Sequence, residues 1–267
     1  MLPQLIKIGS FYIPTYGVLV TAGFLLALWL ASRLGARSGL NSEKVLNLGI
    51  YCGLAAILGA KLAMLVYDFG YFSRNPREIF SRSTLQAGGV YQGGLILALV
   101  VALIYMRKAK LPGLATADCF APAIALGHAI GRMGCFAAGC CWGLECHRPW
   151  AVTFTNPVAG ELFGTPLDIP LHPTQLYEAG AEALIFAFLY WRFSRPHKAG
   201  QIIGLYLVLY SLARFVIEFY RAPTQPNPVG GPLTDAQWIA LGTFALGTWL
   251  AGRPTHAKPP SRKGTEL

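Results

Sequence analysis

The sequence is poor in charged residues, and acidic residues are especially scarce. Charged side chains make up 13% of the 267 residues, about half of the roughly 25% found in ordinary soluble proteins. Twelve Asp and Glu residues stand against 22 Lys and Arg residues, which gives a net charge of +10. We therefore do not expect a soluble enzyme. The basic excess by itself fits nucleic acid, an anionic membrane surface or the loops of an integral membrane protein.

Cysteine is also sparse, and the sequence has no short period. Six cysteines in a chain of this length exclude a small disulfide scaffold, and the lack of a period excludes a collagen-like chain. Disorder is excluded because 54% of the residues are hydrophobic, whereas disordered segments are too polar to bury a core.

The sequence contains instead a series of long apolar runs. About 20 helical residues cross a hydrocarbon core about 30 Å thick, and runs of about that length occur seven times. They lie at 13–34, 45–67, 89–106, 116–138, 174–193, 202–220 and 235–250. We predict an all-α integral membrane protein with about seven transmembrane helices, formed by residues 1–252. Residues 253–267 are rich in Pro, Lys and Arg, and we predict a disordered cytoplasmic tail there.

The basic residues separate by side in this seven-span arrangement. Thirteen Lys and Arg residues lie in the first, third and fifth connections and the tail, six lie on the opposite side, and three lie within the spans. Because cytoplasmic loops carry the basic excess, we predict an outward N-terminus and a cytoplasmic C-terminus. Nucleic-acid binding is not expected, since the charge is spread over four segments. The outward segment 143–173 contains several prolines and a β-like run at 150–154, which predicts a small periplasmic cap.

Three basic residues lie inside predicted spans, where a charge costs at least about 2.5 kcal/mol and needs a partner or a purpose. They are Lys61, Arg132 and Arg214. Glu218 follows Arg214 by four residues, so the two can pair on one helix face, either to neutralise each other or as part of a site. Arg132 has no acidic residue within one turn in the sequence. An anionic ligand is therefore expected there, and the planar guanidinium suits phosphate.

Further polar residues, some with adjacent glycines, lie near the outward ends of the predicted spans. They are Tyr16, Gly17, Gln92, Gly93, Gly94, His172, Gln175, Glu178 and Arg221. The glycines around Arg132 either allow close helix packing or, together with His128, line a polar site. Because several cations and few uncompensated acids gather at these ends, we predict a cavity for an anionic phospholipid head group that opens to the outer leaflet.

Four cysteines cluster in the sequence, and four interpretations of them stay open. They are Cys135, Cys140, Cys141 and Cys146, followed by His147. Zinc binding is weakly indicated because no paired C-x-x-C occurs. A disulfide of Cys140 or Cys141 with Cys146 fits an oxidising exterior. A thiolate at Cys140 or Cys141 would be favoured by Arg132, and a plain packing role, as for Cys52 and Cys119, is the remaining interpretation.

Six segments together carry a resemblance to a known family. They are PTYG at 14–17, GAKL at 59–62, GGVYQGGL at 88–95, GRMGCFAAGCCWG at 131–143, HPTQLYE at 172–178 and YSLARFVIEFYR at 210–221. In this order and in a seven-span setting, they resemble the prolipoprotein diacylglyceryl transferase family over nearly the whole chain.

The resemblance implies a multi-pass enzyme of the bacterial inner membrane. Such an enzyme moves the diacylglyceryl group from phosphatidylglycerol to the lipobox cysteine of a preprolipoprotein signal peptide at the lipid bilayer, and glycerol 1-phosphate leaves. It implies alkyl transfer without a metal or cofactor. Arg132 and Arg214 match the family's two essential arginines, and Glu218 and Tyr210 match residues that orient the second arginine and the head group. Tyr16 matches a functional tyrosine, and Gly143 ends the signature.

The sequence departs from the family pattern where the acceptor thiol is thought to be handled. Gln92 stands where the family usually has a His, and Gln cannot accept a proton at neutral pH. Cys135, Ala138 and Cys140 replace Asn, Asn and Glu, and Lys61 replaces an Arg. After position 221 the common Pro-Asp becomes Pro-Thr. We count Lys61, Gln92 and Cys135 as substrate-binding candidates and Cys140 as a catalytic candidate.

These departures leave several functions open. The first is the ordinary transfer, with a thiolate at Cys140 or Cys141 as base or with no protein base. The second is a divergent paralogue that still cleaves or transfers from an anionic phospholipid, but onto another acceptor or through a cysteine-linked intermediate. A membrane thiol-redox protein using Cys140, Cys141 and Cys146 is an alternative. A further alternative is a lipid-binding or transport protein that has lost catalysis.

Overall fold

The computed structural model describes residues 2–8, 11–81, 84, 88–222 and 231–253. Seven long helices in this part of the chain correspond to the seven predicted apolar runs. They are α1 (Thr15–Arg37), α2 (Ser42–Tyr67), α4 (Tyr91–Ala109), α5 (Gly113–Ala138), α7 (Thr174–Phe193), α8 (Gln201–Glu218) and α9 (Asp235–Gly252). The short helix α3 (Phe69–Arg74) and a 3₁₀ turn (Pro76–Phe80) follow α2. Of the predicted tail, all but Arg253 lies outside the described residues.

Two small sheets depart from the all-α prediction. Strands β1 (Gln4–Ile8) and β2 (Phe11–Pro14) form an antiparallel hairpin before α1. The first helix therefore begins at Thr15, and the predicted start at 13 was wrong because 13 and 14 belong to a strand. The β-like run at 150–154 is confirmed as β3 (Val152–Thr153), which pairs with β4 (Pro170–Leu171). The helix α6 (Pro157–Phe163) lies between these strands.

Helix α5 lies at the centre of the fold and packs against α1, α7 and α8. Small residues allow these close approaches. A Cβ on Gly23 of α1 would lie 2.9 Å from the carbonyl oxygen of Gly127 of α5. Helix α2 pairs with α4, and α8 pairs with α9 through Gly204 and Gly247, where a Cβ would meet backbone atoms at 2.6 and 2.8 Å.

One buried acid fixes the start of α8. Asp118 of α5 is 1% exposed, and its carboxylate accepts hydrogen bonds from the backbone N–H groups of Gly200 at 2.6 Å and Ile203 at 2.8 Å. The first N–H groups of a helix lack partners within the helix and favour a nearby negative charge. Asp118 therefore joins α5 to the N-terminus of α8 at the basic end of the helices.

The surface of the described bundle is strongly apolar. Leu184 is 75% exposed and Ile57 is 66% exposed. Large exposed apolar side chains are unfavourable in water and favourable in contact with lipid. Five helices, α1, α2, α4, α5 and α8, are long and apolar enough to cross a membrane. Within the described residues, α7 and α9 do not meet this criterion of length and apolar composition. Helix α7 carries two buried glutamates, Glu178 and Glu182, and α9 begins at Asp235. The structure thus shows a mainly helical protein with several candidate membrane spans.

Candidate active site

The predicted site residues gather at one end of the bundle because successive helices run in opposite directions. The first turn of α1, the last turns of α5 and α8 and the first turn of α7 meet there. The segment 139–173 covers the same end, where the backbone of Gly143 pairs with Arg221 beyond α8. Residues that are far apart in the sequence therefore form one polar cluster.

The centre of this cluster is the carboxylate of Glu178, which contacts three arginines. Arg132 of α5 forms an ion pair with it, Arg221 donates a hydrogen bond at 3.1 Å, and Arg214 of α8 donates one at 3.4 Å. The Glu178 side chain is only 5% exposed. Arg132 has no acidic residue within one turn in the sequence, and its acidic partner in the structure comes from another helix.

A second carboxylate holds two of the same arginines. Glu218 pairs with Arg214 at 2.5 Å, one helical turn away, and with Arg221 at 3.7 Å. Its other oxygen, Oε1, accepts a hydrogen bond from the Thr234 hydroxyl at 3.1 Å. The predicted pairing of Arg214 with Glu218 is confirmed. We call Arg132, Arg214, Arg221, Glu178 and Glu218 the arginine cluster.

The arginine cluster has an excess of positive charge. Its three guanidinium groups face two carboxylates, so these five residues together carry a formal charge of +1. All five side chains are at most 17% exposed. A positive charge in such a poorly hydrated place favours a bound anion. A phosphodiester, which carries one negative charge, matches it.

Two further contacts extend the cluster along α5 and α7. The Nε–H of Arg132 donates to Nε2 of His128 at 3.2 Å, and Nδ1 of His128 lies 2.9 Å from Glu182. His128 and Arg132 are four residues apart on α5, as are Glu178 and Glu182 on α7, so each pair lies on one helix face. The two faces contact each other at two levels, through Arg132 with Glu178 and through His128 with Glu182. Glu182 was missed in the sequence because its partner is on another helix.

A small pocket lies beside these two contacts. Its lining includes His128, Glu178, Glu182, Tyr210 and Arg214. The Tyr210 ring packs against His128, with ring centroids 5.6 Å apart, and stacks on Tyr206 at 5.8 Å. The cavity volume is about 10 Å³, which is close to the room that one water molecule needs. The pocket is therefore a narrow crevice at the edge of the arginine cluster.

Backbone contacts hold the loop after α5 in place. Gly143 donates to the carbonyl oxygen of His172 at 3.0 Å, and Gln175 and Thr174 donate to the carbonyl oxygens of Cys140 and Cys141 at 2.7 and 2.9 Å. A Cβ on Gly143 would lie 2.5 Å from the Tyr220 carbonyl oxygen. The predicted site residues Gly143 and Gln175 thus position this loop. His172 Nδ1 lies 3.0 Å from the Tyr177 hydroxyl.

The cysteines of the signature form a cluster that their spacing did not predict. The sulfur atoms of Cys135, Cys140 and Cys141 all lie within 4.8 Å of one another. Gly139 (φ +87°) and Cys141 (φ +62°) turn the chain back so that all three meet. Cys146 is not part of this group and lies within electrostatic range of Tyr177. All six cysteines are free thiols in the structure.

The three thiols are not equivalent as acids. The pKa of Cys141 is lowered because the Cys135 and Cys140 thiols donate hydrogen bonds to its thiolate and because Arg132 and Arg221 lie nearby. The pKa of Cys140 is raised because its thiol is the donor to Cys135 and Cys141 and because it is partly buried. Of the two sulfur atoms that the sequence left as candidate thiolates, the geometry favours Cys141 over Cys140.

The remaining predicted residues lie around this end in different surroundings. Tyr16 contacts Gly134, where a Cβ would lie 3.4 Å from its ring, and it is within electrostatic range of the three clustered cysteines. Gly17 follows it in the first turn of α1. Lys61 of α2 donates to the carbonyl oxygen of Thr84 at 2.7 Å.

The first turn of α4 serves both packing and the site. Gly93 and Gly94 bring α4 against α2, since a Cβ at 93 would lie 2.2 Å from that of Ala63. Gln92 is exposed. Tyr91, which the sequence did not single out, lies within electrostatic range of Tyr210. No pattern in the sequence distinguishes Tyr91, because an aromatic residue at a span end is common.

Taken together, the apolar surface and the largely buried, positively charged cluster define a helical membrane protein with a cationic polar cluster at one end of its bundle. A sequence model of the family described as "Prolipoprotein diacylglyceryl transferase" matches residues 3–252. The chain belongs to this family.

Relatives from several bacteria share most of the chain. A protein of Bordetella parapertussis is 35% identical over 97% of this chain and 97% of its own length. Proteins of Clostridium tetani and Vibrio atlanticus are 32% and 34% identical over 94% and 93% of this chain, and over 96% and 89% of their own lengths. Each is named "Phosphatidylglycerol--prolipoprotein diacylglyceryl transferase". The family is one of transferases, and the redox alternative is not favoured.

Proposed function

We propose that this protein transfers the diacylglyceryl group of phosphatidylglycerol to the lipobox cysteine thiol of a preprolipoprotein. The observation that carries the proposal is the arginine cluster, whose net charge of +1 matches the single charge of a phosphatidylglycerol head group. The names of the relatives point to the same donor and acceptor. In the reaction the acceptor sulfur bonds to the glycerol carbon, the bond from that carbon to the phosphate oxygen breaks, and glycerol 1-phosphate leaves.

The arginines would act on the leaving group. Negative charge grows on the phosphate oxygen as the carbon–oxygen bond breaks, and Arg132 and Arg214 supply fixed donors in a poorly hydrated place. Removing one such donor from an enzyme typically costs about 10²- to 10³-fold in rate, or about 2.7–4 kcal/mol. Glu178 and Glu218 keep the guanidinium groups in place without cancelling their charge. Tyr210 lies at the edge of the arginine cluster, where it would contact the head group.

The other assigned residues would bind substrate around this centre. Tyr16, Gly17, Lys61 and Arg221 would contact the lipid, and Gln92, Gly93 and Gly94 would lie along the path of its chains. Cys135, Cys140, Gly143, His172 and Gln175 belong to the loop and the facing helix end where the acceptor cysteine would approach. The acceptor signal peptide would reach this end from the bilayer.

We place all seven long helices across the bacterial inner membrane, with the site end outward. Support comes from the opposite end, where Arg33, Arg195 and Arg253 stack on Trp29, Trp191 and Trp249 at 5.4, 4.3 and 4.1 Å from the ring centroids. Trp and Arg at one level are typical of a membrane interface, and basic residues favour the cytoplasmic side. The segment 143–173 would then be a periplasmic cap.

The proposal is tested with purified full-length protein in phosphatidylglycerol vesicles and a lipobox peptide. The wild type should give a thioether-linked peptide and glycerol phosphate. Arg132→Ala should lower the rate at least 10²-fold. Arg132→Lys should keep part of the wild-type rate, since Lys keeps the charge but loses the bidentate hydrogen bonding of the guanidinium.

Arg195→Ala is the matched control, because Arg195 stacks on Trp191 at the other end of the bundle. Equal rates for Arg132→Ala and Arg195→Ala, or no thioether from the wild type, would overturn the proposal. Lipid binding without product would instead identify a lipid-binding protein.

A further inference from the structure

We propose that Cys135, Cys140 and Cys141 bind a zinc ion whose fourth position takes the thiol of the acceptor cysteine. This inference rests on the proposed transfer and adds the group that would activate its nucleophile. It starts from the three sulfur atoms, which all lie within 4.8 Å of one another. No assigned role of the arginine cluster uses them.

The sulfur spacing is close to what zinc requires. Tetrahedral zinc with bonds of about 2.3 Å to sulfur sets its ligands about 3.8 Å apart. The three side chains therefore need to move by no more than about 1 Å to close on the ion. Three protein ligands and one open position are typical of catalytic zinc, whereas structural sites use four.

A disulfide explains this cluster less well. Cys140 and Cys141 are adjacent, so their Cα atoms are about 3.8 Å apart, below the usual range of about 4.4–6.8 Å for disulfide-bonded residues. A bond from Cys135 to either of them would leave the third thiol unpaired. A zinc ion uses all three sulfur atoms at once.

The surroundings stabilise both the ligands and their charge. The carbonyl groups of Cys140 and Cys141 are held by Gln175 and Thr174, and that of Gly139 accepts from Thr165 at 3.0 Å. A loop held in this way presents its ligands in fixed positions. Arg132 lies one helical turn before Cys135, and Arg132 and Arg221 are both within electrostatic range of Cys141. These cations offset the negative charge of a zinc ion bound to several thiolates.

The position of the cluster gives the ion a role in the transfer. The acceptor thiol would bind zinc as a thiolate and release its proton to water, because a thiol that coordinates a cation is deprotonated. Its sulfur would then attack the glycerol carbon, the bond from carbon to phosphate oxygen would break, and the oxygen would keep the electron pair. No oxidation occurs. Zinc would thus supply the activation that Gln92 cannot provide, since an amide does not accept the proton.

The first test measures zinc in the full-length protein, independently of turnover. Protein purified in detergent and given zinc alone should bind one equivalent, and Cys140→Ser and Cys141→Asn should each abolish tight binding. Asn is chosen at 141 because it tolerates the left-handed backbone at φ +62°, so that variant should stay folded. Cys52→Ser is the matched control, since Cys52 of α2 contacts the Ala98 carbonyl away from the cluster. Wild type that binds no zinc, or binding equal in all variants, overturns the inference.

The second test concerns the fourth ligand. Cobalt(II) in place of zinc should give the charge-transfer absorption of thiolate ligands, and a lipobox peptide should change its ligand-field bands. A peptide with Ser in place of the lipobox Cys should not. If both peptides leave the spectrum unchanged, or if thioether forms at the same rate after zinc is removed, the inference fails while the proposed transfer stands. If no thioether forms in any condition, the proposed transfer fails, although the zinc measurements still decide the metal site.

Discussion

Arg132 and Glu178 form a largely buried ion pair that joins α5 to α7 at the site end of the bundle. Glu178 also contacts Arg214 and Arg221, so one carboxylate organises three cations, one from α5 and two from the end of α8 and the residues that follow it. The site therefore depends on how the helices pack as much as on the arginines themselves.

Replacing this carboxylate should damage stability and activity together. Among the described residues, Glu178→Gln leaves Arg132 without a carboxylate partner and leaves Arg214 and Arg221 with Glu218 alone. Breaking a buried pair by removing one partner costs about 3–5 kcal/mol. We expect a clear fall in the thermal unfolding temperature and at least a tenfold loss of transfer rate. Glu145→Gln is the control, because Glu145 pairs with His147 on the exposed surface. A Glu178→Gln protein with wild-type stability would contradict this role.

The sequence predicted what depends on local pattern. Long apolar runs located all seven helices, and the four-residue spacing of Arg214 and Glu218 located their ion pair. The sequence did not predict the partners of Arg132, the roles of Glu182 and Asp118, or the close approach of the three cysteine sulfur atoms. These features depend on contacts between helices or on a left-handed turn, and neither leaves a periodic signal. The hairpin before α1 was missed because its strands are too short to separate from an apolar span.

Gly143 should be intolerant of any side chain. A Cβ there would lie 2.5 Å from the Tyr220 carbonyl oxygen and 2.6 Å from the Cβ of His172, and relieving such overlap costs about 1–3 kcal/mol. We expect Gly143→Ala to lower the unfolding temperature and to slow transfer by moving the cysteine loop away from α8. Gly180→Ala is the control, since a Cβ there meets nothing within 4 Å and should be neutral or slightly stabilising. Equal effects of the two changes would show that the junction is not tight.

Asp118 should matter for stability and not for chemistry. Its carboxylate caps α8 at the end of the bundle away from the arginine cluster. Asp118→Ala should destabilise by about 0.5–2 kcal/mol, as loss of a helix cap does, and Asp118→Asn should cost less because its amide oxygen still accepts. Thermal unfolding measures both. Transfer rates well below the unfolding temperature should equal the wild type, and a selective loss of rate would place Asp118 in the site.

The proposed orientation of the bundle can be tested without measuring activity. Glu145 lies in the segment 143–173, and Lys198 lies between α7 and α8, so the two exposed positions are at opposite ends. In intact bacterial cells stripped of the outer membrane, a membrane-impermeant maleimide should label Glu145→Cys and not Lys198→Cys. After the membrane is broken open, it should label both. The wild type measures labelling of the native cysteines. Because basic residues concentrate at the Lys198 end, the reverse pattern would mean that the charge asymmetry does not orient this chain.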